Sequence, residues 1–206
     1  LHYPLRRQRQ MCIRDRDKRS SMRLSSLPVR PSHDRTGKAP IAPRHNRRMK
    51  LTLLVGTMSD TAWQVAQAME MAAADHVAEI EVRRLDASDS PKLFQAGPDH
   101  AYIVCTSTFG SGDLPDNAQP LYHALDAQPR YLGGVRYGVV ALGDSGFGET
   151  FARGGRLFDE RLADLGAIRV GELLVIDACS ADDAEEAASA WIESWLEALQ
   201  QLPADV

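Results

Sequence analysis

The sequence predicts an α/β fold: a doubly wound sheet of five parallel strands with helices on both faces. Strand-like apolar runs alternate with helix-like amphipathic stretches over residues 49–206, which is typical of this class. The central runs are continuously apolar, as in parallel strands that are covered on both faces. Three loops that contain Gly, Ser, Thr and Asp follow strand ends, where ligands bind in such sheets.

The first three elements are predicted between residues 50 and 85. KLTLLVG, residues 50–56, is a short apolar run and predicts a buried strand. TAWQVAQAMEMAAA, residues 61–74, has apolar residues at helical intervals, so a helix follows. AEIEVRRL, residues 78–85, alternates apolar and charged residues, which favours a strand near an edge of the sheet.

The central elements are two strands with a short helix between them. HAYIVCTS, residues 100–107, and RYGVVALG, residues 136–143, are continuous apolar runs and predict buried parallel strands. NAQPLYHALDAQ, residues 117–128, predicts the short helix.

The last elements are a helix, a strand and a closing helix. GETFARGGRLFDERLADLG predicts a helix over residues 148–166 that ends at Gly166, and IRVGELLVID predicts one strand over residues 168–177. ADDAEEAASAWIESWLEALQQL, residues 181–202, predicts the closing helix. Its early acidic residues favour this assignment because a helix dipole stabilises negative charge near the N-terminus. The methionines and tryptophans expected in the core are Met58, Met69, Trp191 and Trp195.

Charge divides the chain into a basic leader and an acidic domain. Residues 1–48 contain fourteen Lys and Arg against three Asp and Glu, whereas residues 49–206 contain ten against twenty-five. The leader has no sustained apolar period, so we expect disorder. MCIRDR resembles a translated sequencing adapter, and MKLTLLVG from Met49 resembles a natural protein start. We therefore expect the leader to be upstream translation, although a transit peptide or a nucleic-acid-binding arm has a similar balance.

Composition also excludes several classes of function for the acidic domain. Nucleic-acid binding is disfavoured because phosphates require Lys and Arg, and a basic partner is favoured. Cys12, Cys105 and Cys179 show no CxxC spacing and no Cys/His cluster. We expect buried, reduced thiols in a cytoplasmic protein, with no metal site. No apolar run reaches the roughly 18–20 residues that cross a bilayer, so we expect no membrane association.

The first of the three loops, GTMSDTA at residues 56–62, suits a phosphate group. It places Thr and Ser hydroxyls beside the free N–H groups of the following helix. It matches neither the GxxxxGK[ST] nor the GxGxxG pattern. Because Ser and Thr also cap helices for purely structural reasons, the capping interpretation stays open.

The second loop, residues 106–117, and the third loop, residues 142–151, each carry a phenylalanine among glycines. These are Phe109 in STFGSGDLPDN and Phe147 in LGDSGFGETF. Two rings from neighbouring loops can enclose a flat heteroaromatic ligand. The alternative is that both rings cover the end of the sheet as ordinary packing.

Together the loops resemble those of flavodoxins, especially short flavodoxins of the MioC type and the FMN domains of diflavin reductases such as sulfite reductase flavoprotein. The most specific matches are STFGSGDLPDNA, ALGDSGF and FDERLADLGAIRVGE, and the resemblance covers Met49 to about Leu199. It implies the strand order 2-1-3-4-5, with FMN as cofactor at the carboxyl ends of the strands. Both are properties of the family rather than deductions from these residues.

The resemblance also implies which residues surround FMN. The phosphate would lie among Thr57, Met58, Ser59, Asp60, Thr61 and Ala62. One side of the isoalloxazine ring would be lined by Ser107, Thr108, Phe109, Gly110 and Gly112. The other side would be lined by Leu142, Gly143, Asp144, Phe147 and Gly148. The Gly110 carbonyl corresponds to the acceptor for the N5 proton of reduced flavin, and neither a catalytic side chain nor a metal is implied.

Two positions depart from the family pattern. Asp60 stands where glycine is usual, and a carboxylate close to a phosphate dianion is repulsive unless it turns to solvent. Phe147 stands where tyrosine is common, so the ring is retained and a hydroxyl contact is lost.

The function implied is that of a monomeric, FMN-binding electron carrier in the cytoplasm. It would pass single electrons from a separate, basic reductase of the flavodoxin/ferredoxin–NADP reductase type to an unknown acceptor enzyme. Four acids would surround the exposed flavin edge and steer a basic partner, or would simply be solvated loop residues. They are Asp113, Asp116, Asp144 and Glu149.

Two other functions remain open from the sequence. One is an NAD(P)H-dependent quinone or flavin reductase of the same fold, although such enzymes usually have longer loops than the compact third loop here. The other is an interaction protein that has lost its flavin. Asp60, which stands where the family usually has glycine, is the residue that suggests it.

Overall fold

A parallel β-sheet organises the part of the chain that the computed structural model describes, residues 46–203. The predicted leader lies outside these residues except for the backbone of its last three, and Cys12 lies outside them as well. The strands are β1 (Asn46–Gly56), β2 (Val77–Arg84), β3 (His100–Ser107), β4 (Arg136–Gly143), β5 (Ile168–Arg169) and β6 (Leu174–Asp177). The α-helices are α1 (Thr61–Ala73), α2 (Gln119–Ala127), α3 (Arg153–Asp164) and α4 (Ala184–Gln201). Short 3-10 helices occupy Pro91–Leu93 and Ser145–Thr150.

The strand order confirms the implied topology. The sheet runs β2-β1-β3-β4-β5, and β6 also pairs with β4. Every pairing among these strands is parallel. Such an order requires each connection to cross a face of the sheet, which is why a helix separates most successive strands.

Helices cover both faces of the sheet, as predicted. One buried cluster joins β1 and β3 to α1 and α4, and a second joins the opposite face to α2 and α3. Neighbouring residues of β1 serve different clusters: Leu53 packs in the first and Leu54 in the second. Because side chains alternate along a strand, a strand buried on both faces must be apolar at every position. Among the helices of residues 46–203, none is both long and apolar enough to cross a bilayer.

The predicted bounds of two elements, the last strand and the third helix, are wrong. The single last strand is divided into β5 and β6, because Gly171 takes a left-handed φ of 64° and turns the chain between them. The helix predicted to start at residue 148 begins at Arg153. Ala152 before it has a φ of 53°, and a left-handed residue cannot continue a right-handed helix.

The core predictions hold for most of the named residues. Met69 and Trp195 are buried, and Trp191 packs partly buried against the first cluster. Met58 is 49% exposed because it lies in the first loop rather than on α1, so its assignment to the core is wrong. Cys105 is buried as predicted, whereas Cys179 is exposed, which contradicts the prediction.

The strand register brings the functional loops to one edge of the sheet. Gly56 at the end of β1 lies beside Thr106 of β3. Ser107 pairs with Leu142 of β4, and Gly143 with Asp177 of β6. The connections after β1, β3, β4 and β6 therefore all begin at this carboxyl edge.

Candidate functional site

A cavity of about 590 Å³ opens at the carboxyl edge of the sheet. We call it the edge cavity. Its volume falls within the range of roughly 300–1,000 Å³ that is typical of small-molecule sites. Its walls come from the three predicted loops and from the connection between β6 and α4. The site is thus assembled from four separate stretches of the chain.

The first loop brings two exposed hydroxyl groups to the edge cavity. The Ser59 and Thr61 side chains both line it, and their hydroxyl oxygens are 3.5 Å apart. Thr57 is buried, and its hydroxyl donates to the Ser59 carbonyl while accepting from the Ser59 N–H. Thr57 therefore shapes the loop, and Ser59 and Thr61 are the hydroxyl groups that face the cavity.

The N-terminus of α1 has no side-chain cap. Asp60 occupies the capping position, but its side chain accepts no hydrogen bond from the first turn. In contrast, Asp183 caps α4 by accepting from the N–H groups of Glu185 and Glu186, at 2.8 and 3.1 Å. The first N–H groups of a helix have no partner within the helix. Those of α1 are therefore available to an anion beside Ser59 and Thr61.

Asp60 is turned away from the helix and towards an arginine. Its carboxylate lies 2.6 Å from Nη2 of Arg84, and its side chain is 75% exposed. The Arg84 guanidinium also lies over the Trp63 ring, 5.0 Å from the ring centroid. The Asp60 carboxylate is thus paired with a cation and faces the solvent. In this position it repels a nearby phosphate less than a carboxylate directed at the phosphate would.

Asn117 holds the first loop against the sheet, and the sequence analysis did not identify it. Its Oδ1 accepts from the Thr57 N–H at 2.9 Å. Its Nδ2 donates to the carbonyls of Val55 at 3.1 Å and Leu85 at 3.2 Å. One half-buried amide therefore satisfies backbone groups of the first loop, β1 and the residue that follows β2.

The glycines of the second loop are required by its backbone geometry. Phe109 and Asp113 form a small antiparallel bridge, with N–H to carbonyl distances of 2.9 and 2.8 Å. Gly110 and Gly112 between them have φ values of 53° and 98°. A Cβ at Gly112 would also lie 2.9 Å from Cδ of Arg153. This tight hairpin presents Phe109 to the edge cavity.

The third loop is tied to the β6–α4 connection. Asp177 accepts from the N–H groups of Ser145 at 3.0 Å and Cys179 at 2.9 Å. Asp144 accepts from Gly146 at 2.7 Å and from the Cys179 thiol at 3.0 Å. These bonds make the two segments one wall of the edge cavity.

The same hydrogen bonds shift two pKa values in opposite directions. Bonds from Ser145 and from the Cys179 N–H hold the pKa of the Asp177 carboxyl below its usual value. The hydrogen bond to the Asp144 carboxylate raises the pKa of the Cys179 thiol. Ligand atoms of Asp144, Asp177 and Cys179 lie within 4.8 Å of one another, close enough to share a metal ion. In the structure these three side chains instead form the hydrogen bonds that join the third loop to the β6–α4 connection.

Both loop phenylalanines are exposed beside the edge cavity. Phe109 is 52% exposed and Phe147 is 63% exposed, and both line the cavity. Each ring thus keeps about half or more of its surface open to the solvent. Exposed rings of this size are unfavourable in water, and a flat ligand between the loops would cover them.

Ten of the sixteen predicted cofactor-binding residues line the edge cavity and six do not. Those that line it are Ser59, Thr61, Ser107, Thr108, Phe109, Gly110, Leu142, Gly143, Asp144 and Phe147. Those that do not are Thr57, Met58, Asp60, Ala62, Gly112 and Gly148. Most of the second group belongs to the first loop, where Thr57 and Ala62 are buried.

The cavity also has a wall that the sequence analysis missed. Its residues come from the end of the third loop and from the β6–α4 connection: Thr150, Ile176, Asp177, Ala178, Ser180, Asp182 and Ala184. The signal was present, because ACSADD follows the last strand directly and strand ends are where ligands bind. Its acids also suit the dipole of the following helix, so their charge alone does not indicate a ligand site.

Acidic groups surround the opening of the cavity. Asp144, Asp177 and Asp182 line it. Of the other acids expected around a ligand, Asp113, Asp116 and Glu149 are exposed on the second and third loops. This edge of the sheet is therefore negatively charged, which favours approach by a basic surface.

Comparisons with known proteins agree with this architecture. The family described as flavodoxin has a sequence model that matches residues 53–191. Flavodoxin YqcA of Pectobacterium carotovorum subsp. carotovorum is 36% identical over 146 residues, which span 71% of this chain and 94% of that protein. Protein MioC of Escherichia coli O157:H7 is 31% identical over 134 residues, 62% of this chain and 90% of that protein.

Solved structures give the same result. A cysteine-to-alanine mutant of flavodoxin from Pseudomonas aeruginosa matches with a TM-score of 0.62 and 36% sequence identity. The match covers 74% of this chain and 99% of that one.

Proposed function

The chain belongs to the flavodoxin family, whose members bind FMN and transfer electrons, and we propose that it holds FMN in the edge cavity and shuttles single electrons between partner proteins. One observation carries this proposal: the cavity has two exposed phenylalanines and, in the same lining, the hydroxyl groups beside the uncapped N-terminus of α1. A flat ring system joined to a phosphate has the chemistry that both features require.

The residues of the first loop are suited to the phosphate. Ser59 and Thr61 supply hydroxyl donors, and the first turn of α1 supplies backbone N–H donors. The helix dipole adds a favourable interaction with negative charge. The ion pair of Asp60 with Arg84 removes the main reason to consider a flavin-free protein.

The second and third loops are suited to the isoalloxazine ring. Phe109 and Phe147 would cover the ring and keep water from it. FMN itself supplies the redox chemistry when bound, and the protein binds it and adjusts its potentials.

We assign the Gly110 carbonyl as acceptor for a proton at flavin N5. Gly110 has a left-handed φ of 53°, and a glycine can change its backbone angles at low steric cost.

Flavodoxins interact with redox partner proteins, and the charge of this chain suggests the kind of partner. The acids around the cavity favour a basic reductase of the flavodoxin/ferredoxin–NADP reductase type as electron donor. The acceptor enzyme is not specified by the residues described. A monomeric state and a cytoplasmic location remain predictions.

Titration of the full chain with FMN tests the proposal. We expect micromolar or tighter binding with quenched flavin fluorescence, followed by two separate one-electron steps in an anaerobic reductive titration. Phe109→Ala and Phe147→Ala should each weaken FMN binding by about threefold to tenfold, since a stacked aromatic pair contributes about 0.5–1.5 kcal/mol. Tyr131→Ala is the control, because Tyr131 is 82% exposed and does not line the cavity.

Two outcomes would favour the other functions. No binding at micromolar FMN would contradict the proposal and favour the flavin-free interaction protein. Oxidation of NADPH by the purified protein alone would favour a quinone or flavin reductase.

A further inference from the structure

Arg84 lies at the end of β2 and is held at two points beside the N-terminus of α1. Its Nη2 is 2.6 Å from the Asp60 carboxylate, and its guanidinium stacks over Trp63 in the first turn of the helix. Its backbone pairs with Val55, near the end of β1. Strand pairing, ring stacking and an ion pair thus fix the position of this cation next to the first loop.

Two aspartates at the capping positions of helices behave differently in this fold. Asp183 has extended backbone angles and accepts two N–H bonds from the first turn of α4. Asp60 has helical backbone angles, and its side chain accepts none from α1 and pairs with Arg84 instead. Aspartate is among the preferred capping residues and normally satisfies these N–H groups. The difference coincides with two features of Asp60, its helical backbone angles and the arginine beside its carboxylate.

We infer that Arg84 is a positioning residue for the FMN phosphate, and that it acts through Asp60. It keeps the Asp60 carboxylate off the N-terminus of α1, which leaves the N–H groups free for the phosphate, and it neutralises the nearby negative charge. The inference rests on the proposed function, because it takes the first loop to be the phosphate site.

Loss of Arg84 would oppose phosphate binding in two ways. The freed carboxylate could cap α1 and occupy the same N–H donors. It would also repel the phosphate dianion, since a like charge at this range is unfavourable even in water. Neither effect acts on the isoalloxazine ring. Riboflavin, which lacks the phosphate, therefore separates this role from a general disturbance of the site.

Arg84→Gln in the full chain tests the inference. We expect FMN affinity, measured by fluorescence quenching at low ionic strength, to fall by about fivefold to tenfold. Riboflavin affinity should stay unchanged, and the FMN loss should shrink as salt is added. Arg84→Lys should restore most of the FMN affinity because it restores the charge. Arg169→Gln is the control, because it removes an Arg–Asp pair on β5, the strand at the opposite side of the sheet from β2.

A double-mutant cycle with Asp60→Ala identifies the route of the effect. In the Asp60→Ala background, Arg84→Gln should cost less than about threefold in FMN affinity, since the carboxylate that it releases is absent. Asp60→Ala alone should leave FMN affinity unchanged or increase it. This single variant tests the inference even where Arg84→Gln fails to fold.

Several results would overturn the inference. One such result is an equal loss of FMN and riboflavin affinity in Arg84→Gln. Another is that Arg84→Gln loses the same FMN affinity in wild-type protein and in Asp60→Ala. Weaker FMN binding by Asp60→Ala alone would also overturn the inference. Wild-type protein that binds FMN no more tightly than riboflavin would instead overturn the phosphate site itself, and the inference with it.

Discussion

Asn117 shows how much one side chain contributes to the geometry of the first loop. It satisfies the Thr57 N–H and the carbonyls of Val55 and Leu85, groups that belong to three different segments. Buried backbone groups that lose their partners are costly, because water cannot replace the lost bonds. Asn117 therefore sets the distance between the first loop and the ends of two strands.

We expect Asn117→Ala to lower the free energy of unfolding by about 2–3 kcal/mol, from three lost hydrogen bonds at about 1 kcal/mol each. Urea denaturation measures the change. Gln119→Ala, which removes one bond to the Leu114 carbonyl, is the control and should cost about 1 kcal/mol or less. Equal losses in the two variants would show that the loop does not depend on Asn117.

At the residue scale, the sequence predicted the chemistry of the site better than its exact contacts. Phe109 and Phe147 stood out because rings among glycines at strand ends are unusual, and both line the cavity. Thr57 and Ala62 did not reach it, because side-chain direction within a short loop depends on packing and not on residue type. Asn117 gave no signal, since its three partners come from segments up to 62 residues away.

The third loop and the β6–α4 connection are joined mainly through Asp177. Hydrogen bonds from Ser145 and from the Cys179 N–H lower the pKa of its carboxyl. A carboxyl whose pKa is lower in the folded state stabilises the fold above the unfolded pKa of about 3.9. That stabilisation is lost as the pH falls through the folded value.

We therefore expect Asp177→Asn to be less stable than wild type at pH 7 and to differ progressively less as the pH falls below about 4. Urea midpoints for both proteins between about pH 2.5 and 7 measure the difference. Glu193→Gln is the control and should show no such trend, because Glu193 is an exposed acid on α4 that forms no ion pair within residues 46–203. A difference that stays constant with pH would contradict a role for the ionised carboxylate.

At the element scale, the predictions succeeded where the apolar period was long and failed where single residues bend the backbone. β3 and β4 match their predicted bounds because continuous apolar runs end sharply at Ser107 and Gly143. The last strand is divided at Gly171, and α3 begins late because Ala152 is left-handed. A left-handed alanine is rare, and nothing in the local sequence marks it in advance.

The charge of the whole domain is concentrated where the proposed ligand would be reached. Residues 49–206 carry fifteen more acids than bases, and several of these acids lie on the loops around the edge cavity. Electrostatic steering of this kind raises association rates and weakens with salt.

We expect Asp113→Asn combined with Asp116→Asn to slow reduction of the FMN-loaded protein by a basic ferredoxin–NADP-type reductase about threefold to tenfold at low ionic strength. Stopped-flow absorbance measures the rate, and the difference should vanish at high salt. Asp75→Asn combined with Asp99→Asn removes two exposed charges that precede β2 and β3, at the other edge of the sheet, and should leave the rate almost unchanged. Equal slowing by both pairs would indicate an effect of net charge alone.

The walls of the edge cavity are distributed along nearly the whole domain, from Ser59 in the first loop to Ala184 at the start of α4. A nascent chain that has emerged only through α3 has three of the four wall segments and no β6 to hold the third loop in place. The edge cavity is therefore completed late in synthesis. With FMN held as we propose, its capture would follow release of the last strand from the ribosome, and a chain truncated before that strand would lack one wall of the cavity.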